Sequence, residues 1–483
     1  MKSFFKQESP YSIAIEAVED IFQTGKMIKG FLVGEEIYRG GMAVLFSATK
    51  EGIDHPILLK IPRVGKDQPV ESLIAFETEL TILRALKSPY APQFIGSGSM
   101  AKNPFIAMER IEGESLETMI QREGNLPIDV AIKITSNIAQ AIQNLHSQEV
   151  IHLDLKPDNV LINKNLEVTL IDFGLAHHAR FPDLLAEEMR KGIGSAPYIA
   201  PEQIVGVRND LRSDIYSLGV ILYELLTAEL PFDNPSSMTG LKKRFWAQPI
   251  PPRVYRPEIP PALQEIILRC LEPFAKDRYQ SATQLRQLLR NLDSVTLTSR
   301  AALIKPISFW GAFKRWFRAA GYESSPIIQS TIAYELTPLV IVALDLPNSS
   351  AALQAKMQRS LKNILQIYAE GRVSCITVIA NTPTFEGDKE MDSASGIVRG
   401  HLVQMMEWMA PMQLSSEKTS FHVLESLDAA ARIVEFANDN DAAMIITGQA
   451  SHVTASNLRP WRSNMTKIVE EAKCIVHVVK LAE

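Results

Sequence analysis

The stretch "IHLDLKPDNVLI", residues 151–162, sets His152, Asp154, Lys156 and Asn159 between apolar neighbours. A carboxylate, an ammonium and a carboxamide so close together, in a segment that otherwise reads as buried, supply a proton acceptor and a metal ligand. Downstream, "TLIDFG" adds Asp172 directly before Phe-Gly. Upstream, "PILLKI" holds Lys60 in an apolar, strand-like run, where a lone ammonium is costly to bury unless an anion meets it. Glu79, on the amphipathic stretch "ESLIAFETELTILRAL", is placed to be that anion. In "IYRGGMAVL", from Ile37 to Leu45, Gly40 and Gly41 let a hairpin's main chain approach a phosphate with no Cβ in the way.

These parts share one chemistry. Phosphoryl transfer needs a lid over phosphates, a cation on them, oxygen ligands for magnesium and an acceptor held in line. Each part has a plainer reading when taken alone. The Gly-Gly pair is a turn, Lys60 is a strand-edge residue with its head in water, Asp172 is a turn residue, and 151–162 is a strand-loop-strand with solvated charges. The joint occurrence of all of them, in this order and at compatible spacing, sets those readings aside.

From about Val33 to about Leu289 the set resembles protein kinases, specifically bacterial Ser/Thr kinases of the eukaryotic type. "FIAMERIEGESL" resembles the hinge, with Met108 as gatekeeper and Glu109 to Ile111 meeting adenine. "GSAPYIAPEQ" resembles the substrate-side segment ending in Ala200-Pro201-Glu202, "RSDIYSLGVILYELLTAELPF" the central helix with Asp214, and "KDRYQSA" supplies Arg278 as the partner of Glu202. The resemblance implies a bilobal α+β kinase fold, with a small β-rich lobe and a large helical lobe. It also implies ATP and Mg2+ as cofactors and protein Ser/Thr hydroxyls as acceptors. By the same resemblance Asp154 orients the acceptor and takes its proton, and Lys156 neutralises charge on the transferring group. Asn159 and Asp172 hold magnesium. Lys60, steadied by Glu79, grips the α- and β-phosphates, with Ile37, Gly40, Gly41 and Leu45 above the nucleotide. Lys156 with Ser195 points to Ser/Thr rather than Tyr as acceptor.

Three departures matter. Leu153 stands where the family commonly has an Arg that pairs with a phosphate on the activation loop, and that loop, Gly174 to Gly194, contains no Ser, Thr or Tyr. Both absences imply a kinase that is not switched by phosphorylation there. Tyr38 and Ala43 replace the first and third glycines of the phosphate lid. Because Lys60, Asp154 and Asp172 are all present, an active enzyme is expected. The competing reading is a pseudokinase scaffold that binds nucleotide and partners without efficient transfer.

These residues need elements to position them. Strand-like patterns with Gly and Pro punctuation run from Ile28, then give way to helix before Leu86. From about 112 to 292 the period is mostly helical, interrupted by "VIHLDL", "NVLIN" and "VTLIDF". The reading divides the chain into an extension (1–30, with "AIEAVEDIF" as a short helix), a kinase domain (31–292), a linker (293–335) and a C-terminal domain (336–483). In the last, apolar strands alternate with helices, which indicates a parallel sheet covered on both faces. "LVIVALDLP" and "FHVLESLDAAARIVEFANDNDAAMIITGQASH" resemble the universal stress protein family, with Asp345 in the place of an Asp near adenine. That family's phosphate-binding glycines are only partly kept. Gly448 matches, but Ser451 and Arg462, followed by Ser463, occupy the other places. A docking or dimer module and a nucleotide sensor both stay open, and "CIVHVVKL" is a candidate homodimer edge. In the linker, Phe309, Phe313, Trp316 and Phe317 interleave with Lys314, Arg315 and Arg318. Packing on a neighbouring domain is preferred there to contact with an acidic membrane.

Composition bounds the rest. At 483 residues the chain exceeds one core. A net charge of −5 argues against nucleic acid as a partner. Cys270, Cys375 and Cys474 form no CxxC pair, which fits a reducing, cytoplasmic setting. The N-terminus lacks the apolar core of a secretory signal, and no apolar run approaches the roughly 20 residues of a membrane helix.

Overall fold

The computed structural model describes residues 22–63, 70–98, 103–188, 195–232, 235, 238–305, 338–368, 371–379, 391–414, 418–440, 442–449 and 460–481. The expected helix over "AIEAVEDIF", except Phe22, the basic aromatic segment 309–318 and Ser451 lie outside the described residues.

Alternation of apolar and polar residues builds the first sheet. Strands β1 (Met27–Ile28), β2 (Phe31–Arg39), β3 (Ala43–Lys50), β4 (Ile53–Pro62), β5 (Phe94–Ser97) and β6 (Ile106–Glu109) are ordered β1-β2-β3-β4-β6-β5. Val44, Phe46 and Ala48 of β3 bury against Phe22, Phe31 and Ile57, because every second side chain of a strand faces the same side. Register shifts on either side of Glu36 bend β2 as it approaches the Gly40-Gly41 turn. Helix α1 (Val70–Ala85) follows, and it presents Phe76, Leu80 and Leu83 at helical spacing to the large core.

That core belongs to the helical lobe. It contains α2 (Leu116–Glu123), α3 (Ile128–Ser147), α4 (Leu184–Glu188), α5 (Pro201–Ile204), α6 (Arg212–Thr227), α7 (Met238–Lys242), α8 (Pro252–Tyr255), α9 (Pro261–Cys270) and α10 (Ala282–Arg290). Helix α6 is buried nearly all round, polar residues included, and packs between α3 and α9. Three short pairings sit at the lobe boundary. β7 (Glu114–Ser115), β9 (Val160–Ile162) and β10 (Val168–Leu170) form one sheet, and β8 (Val150–Ile151) pairs with β11 (His177–His178). Beyond α10, residues to 305 pack back on α9, where Gln264 Nε2 donates to Arg300 O and Leu303 O.

The C-terminal unit is a five-stranded parallel sheet, ordered β14-β13-β12-β15-β16. Its strands are β12 (Leu339–Ala343), β13 (Arg372–Ile379), β14 (Thr419–Glu425), β15 (Met444–Gln449) and β16 (Ile475–Lys480). Alternate residues of β12 feed two cores. Val340 and Val342 meet α11 (Ala351–Ile367) and α12 (Met391–Met409), while Leu339 and Ile341 meet α13 (Ala429–Asp439) and α14 (Pro460–Glu471). Gly448 answers a packing need, since a Cβ there would lie 2.8 Å from Met357 Sδ and 3.1 Å from a Leu353 methyl. Asp345 follows β12, and its Oδ1 accepts a hydrogen bond from Asn348 Nδ2. β14 and β16 are the two edges of the sheet. Edge β14 contacts α4, and α4 contacts α1. A small cleft, partly open to solvent, lies among them, lined by Glu77, Thr81, Phe181, Leu184, Thr419 and Phe421.

Candidate active site

Lys60 is fixed by its strand. It faces Leu45 across β3 and Ile106 across β6, so both neighbouring strands set its position. Its Nζ lies 2.6 Å from Glu79 Oε2 on α1 and 3.1 Å from Asp172 Oδ1, a residue 112 positions away. Glu79 is buried. Burial works against the charge on Lys60, but Asp172 and Glu79 outweigh it and hold the ammonium above its ordinary pKa. The Lys60 ammonium in turn holds Asp172 below the usual carboxylate range. Lys60 and Asp172 are therefore charged at neutral pH, while burial pushes the Glu79 carboxyl up and the Lys60 ammonium opposes that rise.

Asp172 sits in the left-handed region, φ 65°, a conformation that costs a non-glycine residue about 1–3 kcal/mol and clusters at functional sites. Leu153 is similar, φ 61°. The main chain around it is clamped on two sides. Asp214 accepts from His152 N and Leu153 N, each at 2.9 Å, and Gln203 Nε2 donates to Leu153 O at 2.7 Å. The Leu153 side chain is buried.

Asp154 comes next. Its Oδ1 accepts from Ser195 N at 2.9 Å, and its Oδ2 lies 3.1 Å from Asn159 Nδ2 and 3.6 Å from Lys156 Nζ. Lys156 and Ser195, the two residues read as marking Ser/Thr rather than Tyr as acceptor, thus both meet this carboxylate. Asn159 donates its amide N–H groups to Asp154 O and Oδ2, so its amide oxygen is the atom that could serve a metal. Ile171 N donates to Asn159 O, which ties Asn159 to the residue before Asp172.

Asn159 and Asp172 offer hard oxygen atoms, and the Asp172 side chain is 46% exposed. Among the described residues no group of three or more His, Cys, Asp or Glu stands ready to hold a metal. Two oxygen ligands suit a cation that completes its shell from phosphate and water, as Mg2+ does.

The lid and hinge residues fall around these groups. Tyr38, 61% exposed, is paired with Leu45, and its ring lies over Gly40, where a Cβ would approach it to 2.8 Å. Gly40 thus makes room for Tyr38 itself, and around Gly41 there is open space. Ile37 is exposed on β2. Met108 is buried in the large core, Glu109 N donates to Gln93 O, and Ile111 follows the strand end. The expected pair of Glu202 and Arg278 is a two-pronged, buried ion pair at 2.7 and 2.8 Å.

Sequence reading passed over four contributors. Gln203 holds the main chain at Leu153, His146 holds Asp214, and Asp183 and Arg208 tie down the segment after Asp172. The one local signal was Asp183 before "LLAEE", a helix-capping pattern.

Comparisons with known proteins point to one family. The family model described as "Protein kinase domain" matches residues 31–289. A probable serine/threonine-protein kinase of Clostridium perfringens is 31% identical over 266 residues, 54% of this chain and 38% of the relative. Serine/threonine-protein kinase PknB of Mycolicibacterium smegmatis is 30% identical, covering 53% of this chain and 41% of the relative. Serine/threonine-protein kinase pkn3 of Myxococcus xanthus is 33% identical, covering 54% and 49%. The chain spans less than half the length of each of these three relatives.

Proposed function

The chain belongs to the protein kinase domain family, and on that premise we propose that it transfers the γ-phosphoryl group of ATP, with magnesium, to Ser or Thr hydroxyls of proteins. The observation that carries this reading is Lys60 Nζ held between Glu79 and Asp172, with Asp154 beside Lys156 and Ser195. Bound magnesium would supply charge neutralisation across the phosphates. Lys60 holds the α- and β-phosphates. Asn159 and Asp172 would hold the metal. Asp154 accepts the proton of the acceptor hydroxyl as its oxygen bonds to phosphorus. The bond from phosphorus to the β,γ-bridging oxygen breaks, ADP leaves, and Lys156 offsets charge on the group in transit.

Control by phosphorylation of residues 174–194 is not part of the reading. Supporting this, the segment has no hydroxyl side chain and Leu153 is buried where a phosphate-binding Arg would be needed. The C-terminal unit is read as a stress-protein-like module that regulates or docks, supported by its parallel sheet and by the packing of edge β14 near α1 and α4. Edge β16 is the candidate surface for a homodimer. No helix among the described residues is long and apolar enough to cross a membrane, and a cytoplasmic setting is part of the proposal.

The test is magnesium-dependent incorporation of labelled phosphate, with mass-spectrometric site mapping. Wild type is compared with Lys60→Met, Asp154→Ala and a chain lacking 336–483. Loss of signal in the two point variants is expected. Equal signal in wild type and both variants would favour the scaffold reading instead.

A further inference from the structure

A segment that carries the metal ligand Asp172, and receives no phosphate, still has to be held. Arg208, in the loop between α5 and α6, is 8% exposed. Its Nε donates to both oxygens of Asp183, at 3.0 and 2.8 Å, and its Nη2 donates to Leu175 O at 2.9 Å. One guanidinium therefore joins the main chain three residues after Asp172 to a carboxylate eight residues further on. Asp183 makes two more contacts. Its Oδ2 is 3.1 Å from His177 Nδ1, and its Oδ1 accepts from Ala186 N at 3.1 Å, which caps the start of α4. Helix α4 in turn packs on α1, the helix that brings Glu79 to Lys60.

We propose that Asp183 is a positioning residue for phosphoryl transfer: a genetically encoded anion that, clasped by Arg208, fixes the segment between Asp172 and α4 in place of an added phosphate. This rests on the kinase reading above. A carboxylate accepts a charge-assisted hydrogen bond from a guanidinium as a phosphate does, although with less charge; here one N–H, that of Nε, is shared by both Asp183 oxygens. Burial works against the charge of Asp183, but His177 and Arg208 prevail and hold the carboxyl well below its ordinary range, so the anion is permanent at physiological pH. The clasp also has direction. It pulls Leu175 toward the loop before α6 and seats α4 against α1, so the metal ligand and the Lys60–Glu79 pair are braced by the same charge.

The experiment uses the full chain after phosphatase treatment. Steady-state kinetics and amide exchange are measured for wild type, Asp183→Asn, Asp183→Glu, Arg208→Asp and the swapped pair Asp183→Arg with Arg208→Asp. Wild type is expected to keep its activity after the phosphatase. Asp183→Asn is expected to lower kcat about tenfold to a hundredfold, the range for misplacing groups remote from the chemistry, with KM for ATP little changed. Exchange should rise over 174–188 and over α1. Asp183→Glu should recover most of the rate, and the swapped pair should exceed both Asp183→Asn and Arg208→Asp. Where Asp183→Asn proves too unstable to assay, the comparison of the swapped pair with Arg208→Asp decides, and no recovery overturns the clasp. Wild-type kcat and wild-type exchange in Asp183→Asn overturn it as well. A wild-type protein that transfers no phosphate removes the kinase reading instead, and the clasp is then judged on exchange over 174–188 alone.

Discussion

The carboxylate of Asp214 holds the main chain of Leu153 by accepting its N–H at 2.9 Å, and it takes the N–H of His152 at the same distance. His146 Nε2 completes the set at 2.8 Å. The left-handed turn that aims Asp154 is thus maintained from α6. Asp214→Ala leaves these buried donors unsatisfied, each costing about 1–3 kcal/mol. A lower melting temperature is expected, together with a fall in kcat that exceeds any change in KM for ATP. Calorimetry beside steady-state kinetics checks this, and unchanged kcat in folded Asp214→Ala would refute it.

Leu153→Arg would restore the family's common residue without restoring a switch. The side chain is buried, and an unpaired charge there is expected to destabilise the fold by several kcal/mol, in the range of about 3–5 kcal/mol seen for uncompensated buried charges. The segment it would serve has no hydroxyl to phosphorylate. Denaturant unfolding measures the loss, and a variant that gains phosphate-dependent activity would contradict the expectation.

Glu202 and Arg278 are a buried pair, so the outcome depends on how it is broken. Arg278→Ala strands a carboxylate and should cost about 3–5 kcal/mol. Replacing both together, Glu202→Gln with Arg278→Met, should cost less than Arg278→Ala alone. Chemical denaturation of the three proteins gives the comparison.

Burial pushes the Glu224 carboxyl up to about 7, with the hydrogen bond from Tyr198 opposing and the charges of Glu117 and Asp158 adding to the rise. The folded state therefore binds a proton that the unfolded chain releases near its ordinary value of 4.5. The contribution to stability is full below 4.5 and is lost as pH rises through about 7. A shift of that size amounts to at most about 3 kcal/mol. Glu224→Gln is expected to remove this dependence and to raise the melting temperature at pH 8 relative to wild type. Parallel melting curves against pH would refute it.

Much of the site was legible in the sequence. Lys60, Glu79, Asp154, Lys156, Asn159 and Asp172 each sit in a short stretch whose pattern names both the element and the side chain. An apolar, strand-like run places Lys60, helical spacing places Glu79, and the β9–β10 hairpin sets Asn159 just before one strand and Asp172 just after the other. The alternation of apolar strands with helices likewise indicated the parallel sheet of the C-terminal unit.

What the sequence by itself determined is the inventory: which charges exist, which local elements carry them, and that residues 174–194 hold no hydroxyl. Only the tertiary structure decided the pairings over long separations that no resemblance named, such as Arg208 with Asp183 and Leu175, and Gln203 with Leu153. The same holds for the packing of β14 beside α1 and α4. The physical reason is range. Secondary structure follows from residues three or four apart, which a pattern displays. The partner of a buried charge is set by whatever the collapsed chain brings within about 3 Å, which no local pattern records. Gly448 shows the same limit from the other side. Its place suggested a phosphate, and the fold uses it to seat Met357 and Leu353.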